Sequence, residues 1–182
     1  MSKNLQKHPF EPFFDENSKV LILGSFPPKD FISSQNEFFY PSSKNRFWKI
    51  METIFNLDEN SLFKGSVNDK KAFLKSKHIG ISDIFEVCDR KENSSADNGI
   101  NVDNCELRDI SQIIKKAKIK RIFLTIGEDT AKKWKVKEKL FSAYADMIVV
   151  LPSTSNRSSI VKGYDTQSLC EKYKVIKEEL ER

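Results

Sequence analysis

Three short apolar runs and one alternating stretch, separated by segments with helical spacing, constrain the fold of this chain more than any other feature. "VLIL" (Val20–Leu23) stops at Gly24, "IGISDIF" (Ile79–Phe85) alternates like a strand, "RIFLTI" (Arg121–Ile126) stops at Gly127, and "MIVVL" (Met147–Leu151) stops at Pro152. An unbroken apolar run of this length reads as a strand buried on both faces, as in a sheet covered by helices. After the first run, Phe47, Ile50, Met51 and Ile54 recur at helical spacing, with Ser42 or Ser43 as the candidate cap. "DKKAFLKSK" offers a second, shorter helix. Asp103 and Glu106 form a capping-box pattern ahead of a stripe of Leu107, Ile110, Ile113, Ile114 and Ala117. A helix through Ala131 and Trp134 follows "RIFLTI", and the last helix aligns Leu169, Tyr173, Ile176 and Leu180. Strands alternating with helices predict an α/β fold: a three-layer α/β/α sandwich around a central, mainly parallel four-stranded sheet. One domain over residues 1–182 is expected, with residues 1–17 as an amino-terminal arm.

Composition narrows the class. The chain has 38% hydrophobic and 31% charged residues, a net charge of +5, and no apolar run long enough to span a membrane. "MSKNLQKHPF" lacks the apolar core of a secretory signal, so a cytoplasmic protein is expected. Cations concentrate in "KKAKIKR" (Lys115–Arg121) and "KKWKVKEK" (Lys132–Lys139), which read as solvated faces but permit a polyanionic partner. Cys88, Cys105 and Cys170 make no Cys-x-x-Cys pair, and His8 and His78 are the only imidazoles. Reduced thiols and no metal are expected.

In a parallel sheet, ligands bind beyond the carboxyl ends of the strands. Two loops there are unusual: "GSFPPKDF" after the first strand and "PSTSNRSS" (Pro152–Ser159) after the fourth. The polar stretch Asp89–Asn104 reads as a long loop leaving a third strand end. No Gly-x-Gly-x-x-Gly, P-loop or Gly-x-Ser-x-Gly pattern is present. Hydroxyls, amides, aromatics and stiff backbone remain, a set suited to gripping phosphate and stacking a planar ring. In the first loop Phe26 either offers a stacking face or tucks into the core.

The ordered set Gly-Ser-Phe-Pro (Gly24–Pro27), Asn-Arg-Phe-Trp (Asn45–Trp48) and Pro-Ser-Thr-Ser (Pro152–Ser155), with "GISDIFEVCDRKENSSADNGI" between, resembles the uracil-DNA glycosylase superfamily. The branch it is most similar to is the deoxyinosine (hypoxanthine) DNA glycosylases. The resemblance implies an enzyme of base excision repair that flips a deaminated base (hypoxanthine, with uracil and xanthine as alternatives) from DNA and hydrolyses its bond to the sugar. It implies no metal and no cofactor, DNA as partner, and a monomer. Flipping costs a few kcal/mol, recovered by stacking and edge hydrogen bonds.

Residue by residue, the resemblance puts Asn45 and Ser25 in the catalytic set and Gly24, Phe26, Pro27, Phe39 and Tyr40 around the base. Ser153, Thr154, Ser155 and Arg157 fall on the DNA phosphates. An amide has no useful basicity, so Asn45 would orient water through its carbonyl or donate to the base; its alternative reading is a helix cap. Asp97 resembles an acidic position of the long loop, holding water or stabilising the loop. The chain departs from the family's pattern at Pro28, at Thr125-Ile126-Gly127 where relatives tend to have Asn-Gly, and at Asn156-Arg157 where they have Pro-Ala. No histidine stands in the last motif, which leaves stabilisation of the departing base unassigned. Two other classes stay open: a damaged-DNA-binding module without activity, and a hydrolase acting on free nucleosides or nucleotides.

Overall fold

The computed structural model describes residues 5–32, 37–91, 97–156 and 163–182. Its strands are β1 (Leu5–Lys7), β2 (Val20–Gly24), β3 (Ile79–Asp83), β4 (Phe85–Asp89), β5 (Glu106–Leu107), β6 (Arg121–Leu124) and β7 (Ile148–Val150). Its α-helices are α1 (Phe47–Ile54), α2 (Val67–Ser76), α3 (Ile110–Lys116), α4 (Glu128–Lys133) and α5 (Thr166–Glu181). The central sheet has the order β3-β2-β6-β7, with every neighbouring pair parallel.

The unbroken apolar runs arise because both faces of this sheet are covered. Val20 and Ile22 of β2, with Phe123 of β6, point into one core with Phe47, Ile50, Leu74, Leu169 and Tyr173. Leu21 and Leu23, with Ile122 and Leu124, point into the other with Ile110, Ile113, Ala131 and Trp134. Helices α1, α2 and α5 thus form one outer layer, and α3 and α4 the other. Burial of these side chains contributes roughly 1.5–3 kcal/mol each.

The chain steps from β2 outward to β3, then returns past β2 to β6. The strand order therefore reverses between β2 and β6, and beyond their carboxyl ends lies the crevice position of open α/β sheets. Gly24 and Thr125 stand at its two sides.

Sequence periodicity missed a second, three-stranded antiparallel sheet, of order β1-β4-β5. "IGISDIF" is not one strand. β3 ends at Asp83, and after Ile84 the chain enters β4, which pairs with β1 through Leu5↔Asp89 and Lys7↔Val87. Beyond β1 the amino-terminal stretch packs against the rest of the chain: Phe13 bridges Ile81, and His8 and Phe10 are buried. The expected loop Asp89–Asn104 holds, among its described residues, an Arg90↔Ile100 bridge and 3-10 turns at Asp97–Gly99 and Val102–Asn104.

Two cap assignments change. Asp103 and Glu106 make no capping box; Leu107 lies in β5 and is 40% exposed, while α3 starts three residues later, its first-turn Ser111 N–H bonded to Asp109. Neither Ser42 nor Ser43 caps α1: the N-cap position is Arg46, whose side chain makes no cap bond, and Asn45 just before it supplies one, its Oδ1 accepting the Phe47 N–H at 2.9 Å. A deeper constraint lies after α1. The buried Glu52 carboxylate accepts backbone N–H groups from Asn60, Leu62 and Phe63 at 3.1, 2.7 and 2.5 Å, which anchors the turn leading to α2.

Candidate active site

The loop after β2 is held from three directions. A Cβ added at Gly24 would overlap the Asp83 carboxylate and come within 3.1 Å of the Tyr40 hydroxyl, so only glycine fits beneath them. Ser25 Oγ donates to Asp97 Oδ1 at 2.5 Å. Arg90, itself 1% exposed, donates to the Pro27 carbonyl at 2.8 Å and to the Phe26 carbonyl at 3.4 Å. The stiffness expected of the two prolines is thus supplied in large part by a buried guanidinium.

That arrangement decides between the two readings of Phe26. Its ring is 5% exposed, takes the edge of His8 at 5.2 Å and lies under the Arg90 guanidinium at 5.4 Å. In this structure it packs with the core, the second of the two readings. Phe39, 1% exposed, is likewise core, with its carbonyl accepting the Trp48 indole N–H at 3.0 Å. Pro27 is buried as well.

Tyr40 differs. It sits half-buried with φ 56°, in the left-handed region, and its ring stacks on Phe47 at 4.0 Å. Its hydroxyl lies 2.7 Å from Thr125 Oγ1. Because the Thr125 hydroxyl donates to the Leu23 carbonyl at 3.3 Å, the Tyr40 hydroxyl is the donor of the pair. Burial, then the nearby Asp83 charge, raises the phenol well above its ordinary range, so it remains a neutral donor. It spans the mouth of the crevice from the α1 side to β6.

Below it, Asp83 Oδ2 lies 2.8 Å from His8 Nε2. His8 Nδ1 accepts the Phe10 N–H at 3.0 Å, which fixes the ring proton on Nε2, pointing at the carboxylate. Asp97 is a second acidic group near the same floor. Burial raises its carboxyl above the usual range, against the Ser25 hydrogen bond and the Arg90 charge.

The two remaining motifs meet across the crevice. Asn45 forms an antiparallel bridge with Ser155, and the Arg46 N–H donates to the Thr154 carbonyl at 3.0 Å. With its carbonyl on the Phe47 N–H, Asn45 keeps its amide NH2 as the donor it can offer a ligand, and its oxygen retains a second lone pair. The 152–155 segment is fixed by the Tyr173 hydroxyl of α5, which donates to the Pro152 carbonyl at 2.7 Å. The Ser155 N–H donates to Ser153 Oγ at 3.3 Å. Ser153 and Ser155 are half-buried, whereas Thr154 is 1% exposed. Arg157 lies outside the described residues.

Gly24, Ser25, Tyr40, Asn45 and Ser153–Ser155 therefore belong to loops at one end of the sheet. His8, Asp83 and Arg90 are the site-lining residues that sequence reading missed. Asp83 carried a signal: it is a carboxylate closing the carboxyl end of a core strand. His8 and Arg90 carried none, being brought in by the second sheet. Among the described residues no three His, Cys, Asp or Glu side chains converge as metal ligands, and no helix is long and apolar enough to cross a membrane.

Comparison with known proteins fits this geometry. The family model described as "Uracil DNA glycosylase superfamily" matches residues 11–178. Two proteins named hypoxanthine DNA glycosylase, from Methanosarcina barkeri and Methanosarcina acetivorans, are each 32% identical over 89 and 87 residues. Those matches cover 49% and 47% of this chain and 53% and 51% of the relatives, so the chain spans about half the length of the curated relatives it matches. The solution NMR structure of a candidate uracil DNA glycosylase from M. acetivorans superimposes with a TM-score of 0.70 at 24% identity, covering 95% of this chain and 99% of that one. Its likeness establishes the fold. With the family model spanning nearly all of it, the chain belongs to the uracil DNA glycosylase superfamily.

Proposed function

We propose that this protein is a monofunctional DNA N-glycosylase that flips a deaminated base out of the duplex and hydrolyses its glycosidic bond, leaving an abasic site. Hypoxanthine is the proposed base, with uracil and xanthine as further candidates. The observation that carries the reading is the backbone bridge between Asn45 and Ser155, which joins two of the ordered motifs 110 residues apart in sequence.

In this reading the Ser153 and Ser155 hydroxyls and the 153–155 backbone grip phosphates beside the flipped nucleotide. Asn45 lies next to that grip. Its amide donates to the base or its oxygen orients water toward the sugar carbon. As the bond breaks, the sugar gains positive and the base negative charge, so catalysis is mainly positioning and electrostatics. The buried Asp83 carboxylate favours the developing sugar cation, and the neutral Tyr40 phenol adds no charge that would oppose the departing base.

The test compares deoxyinosine in a duplex with the free nucleoside. Excision from the duplex is expected at least about 1,000-fold faster, because the phosphate grip and flipping pocket act only on a polymer. Duplex affinity should fall steeply as salt rises. Comparable turnover of the free nucleoside, insensitive to salt, would instead identify a nucleoside hydrolase.

A further inference from the structure

Two of the three cysteines, seventeen positions apart in sequence, are brought together by the second sheet. Cys105 Sγ lies 3.8 Å from Cys88 Sγ. Val87 pairs with Glu106 across β4 and β5, so Cys88 and Cys105 are the next facing positions, one step beyond the ladder. Facing residues of antiparallel strands have Cα atoms about 4.5–5.5 Å apart, inside the roughly 4.4–6.8 Å window that a disulfide needs. The sulfurs therefore need to close only the gap between themselves, with no rearrangement of the strands.

We propose that Cys105 and Cys88 form a peroxide-reactive dithiol, in which Cys105 is oxidised first and Cys88 resolves it to a disulfide. The two thiols are unequal in the way this sequence of events requires. Cys105 is half-buried and receives the Asp89 N–H on its sulfur at 3.3 Å, whereas Cys88 is 0% exposed. The hydrogen bond with Cys88 and the Asp89 N–H lower the Cys105 thiol below its ordinary range, while the same sulfur contact and burial push the Cys88 thiol up. Cys170 lies in the other core, on α5, and has no cysteine beside it among the described residues.

The chemistry balances with hydrogen peroxide as the oxidant. The Cys105 thiolate attacks one peroxide oxygen, the O–O bond breaks, and a sulfenic acid forms while the second oxygen leaves as water after protonation. Cys88 gives up its proton and attacks the sulfenic sulfur; the S–O bond breaks, hydroxide takes that proton, and a second water leaves. Two thiols and one peroxide thus become one disulfide and two waters.

The crosslink would close the segment that carries Arg90 and Asp97, the two residues that clamp the loop after β2. Neither thiol takes part in the excision chemistry proposed above, and the test is independent of it.

The full chain is treated with a small molar excess of hydrogen peroxide, alkylated, digested and mapped by mass spectrometry. A Cys88–Cys105 linked peptide is expected, lost on reduction with dithiothreitol, with Cys170 still alkylatable. In Cys88→Ser, Cys105 should persist as a sulfenic acid trapped by dimedone; in Cys105→Ser, Cys88 should stay reduced. Melting curves verify that both variants fold. The oxidised protein should melt roughly 5 °C above the reduced one, because the closed loop constrains the unfolded chain. Absence of the linked peptide while a glutathione control is consumed would overturn the assignment. So would Cys105 passing to sulfinic acid in the wild-type chain as fast as in Cys88→Ser. A lower melting temperature on oxidation would refute the clamp.

Discussion

Asn45→Ala should fold and lose about 100- to 1,000-fold in single-turnover excision, the loss typical of removing one positioned transition-state donor. The substitution removes two things at once, because the Asn45 carbonyl also caps α1 through the Phe47 N–H. Loss of the cap alone costs about 1 kcal/mol and should lower the melting temperature by a few degrees without touching chemistry. Asn45→Asp separates the effects. A carboxylate still accepts the Phe47 N–H and suits the positive end of a helix, so stability should be retained or slightly raised. It has no amide NH2, so excision should remain as low as in Asn45→Ala if donation to the base is the working contact. Restored excision in Asn45→Asp would instead assign the work to the oxygen, as a water-orienting acceptor. Full activity in both variants would remove Asn45 from the mechanism.

Gly24→Ala carries the second large effect, and it reads the floor of the crevice. The added methyl would overlap the Asp83 carboxylate and crowd the Tyr40 hydroxyl at 3.1 Å. Gly24 and Asp83 are ladder partners of β2 and β3, so the backbones cannot part without opening the sheet. The side chains must give: Asp83 swings from His8, or Tyr40 lifts from Thr125. Overpacking of this kind costs about 1–3 kcal/mol, equivalent to a drop of roughly 3–10 °C in Tm for a chain of this size. Excision should fall by about 10- to 100-fold, since a displacement near 1 Å costs up to two orders of magnitude. A variant with wild-type Tm and rate would mean that the floor yields freely and that its packing does not set the site.

How much of this was legible in the sequence depends on how local each signal is. β2, β6 and β7 could be read because both faces are covered, which leaves unbroken apolar runs ended by Gly24, Gly127 and Pro152. α5 could be read because its stripe of Leu169, Tyr173 and Ile176 is buried. The second sheet could not. Its strands are two to five residues long, and their partners are set by contacts across the chain. Asp103 and Glu106 had the spacing of a capping box, but the pairing of β5 with β4 drew Leu107 into a strand, and Asp109 served the helix instead.

The site divides in the same way. Gly24, Asn45 and Ser153–Ser155 were found through the ordered motifs, and the fold brings Asn45 and Ser155 into contact. Phe26 left two readings open, because a large aromatic on a proline-bound loop can face outward or tuck inward. Its ring packs inward, in a T-shaped contact with His8 and beneath the Arg90 guanidinium. The His8–Asp83 pair spans 75 positions and has no local signature at all. Thr125, noted in the sequence as a departure from relatives, receives its role from Tyr40: the hydroxyl pair closes one side of the crevice.

The measurement that tests the central claim most directly uses end-labelled duplexes carrying one hypoxanthine, uracil or xanthine, incubated with the protein and cut at abasic sites with alkali. An undamaged duplex and Asn45→Ala run alongside. Alkali-labile sites are expected at hypoxanthine, matched by release of the free base, absent from the undamaged duplex and nearly absent with the variant. Intact strands for all three bases, with salt-sensitive duplex binding preserved, would contradict it and leave a protein that recognises DNA without cutting the base from its sugar.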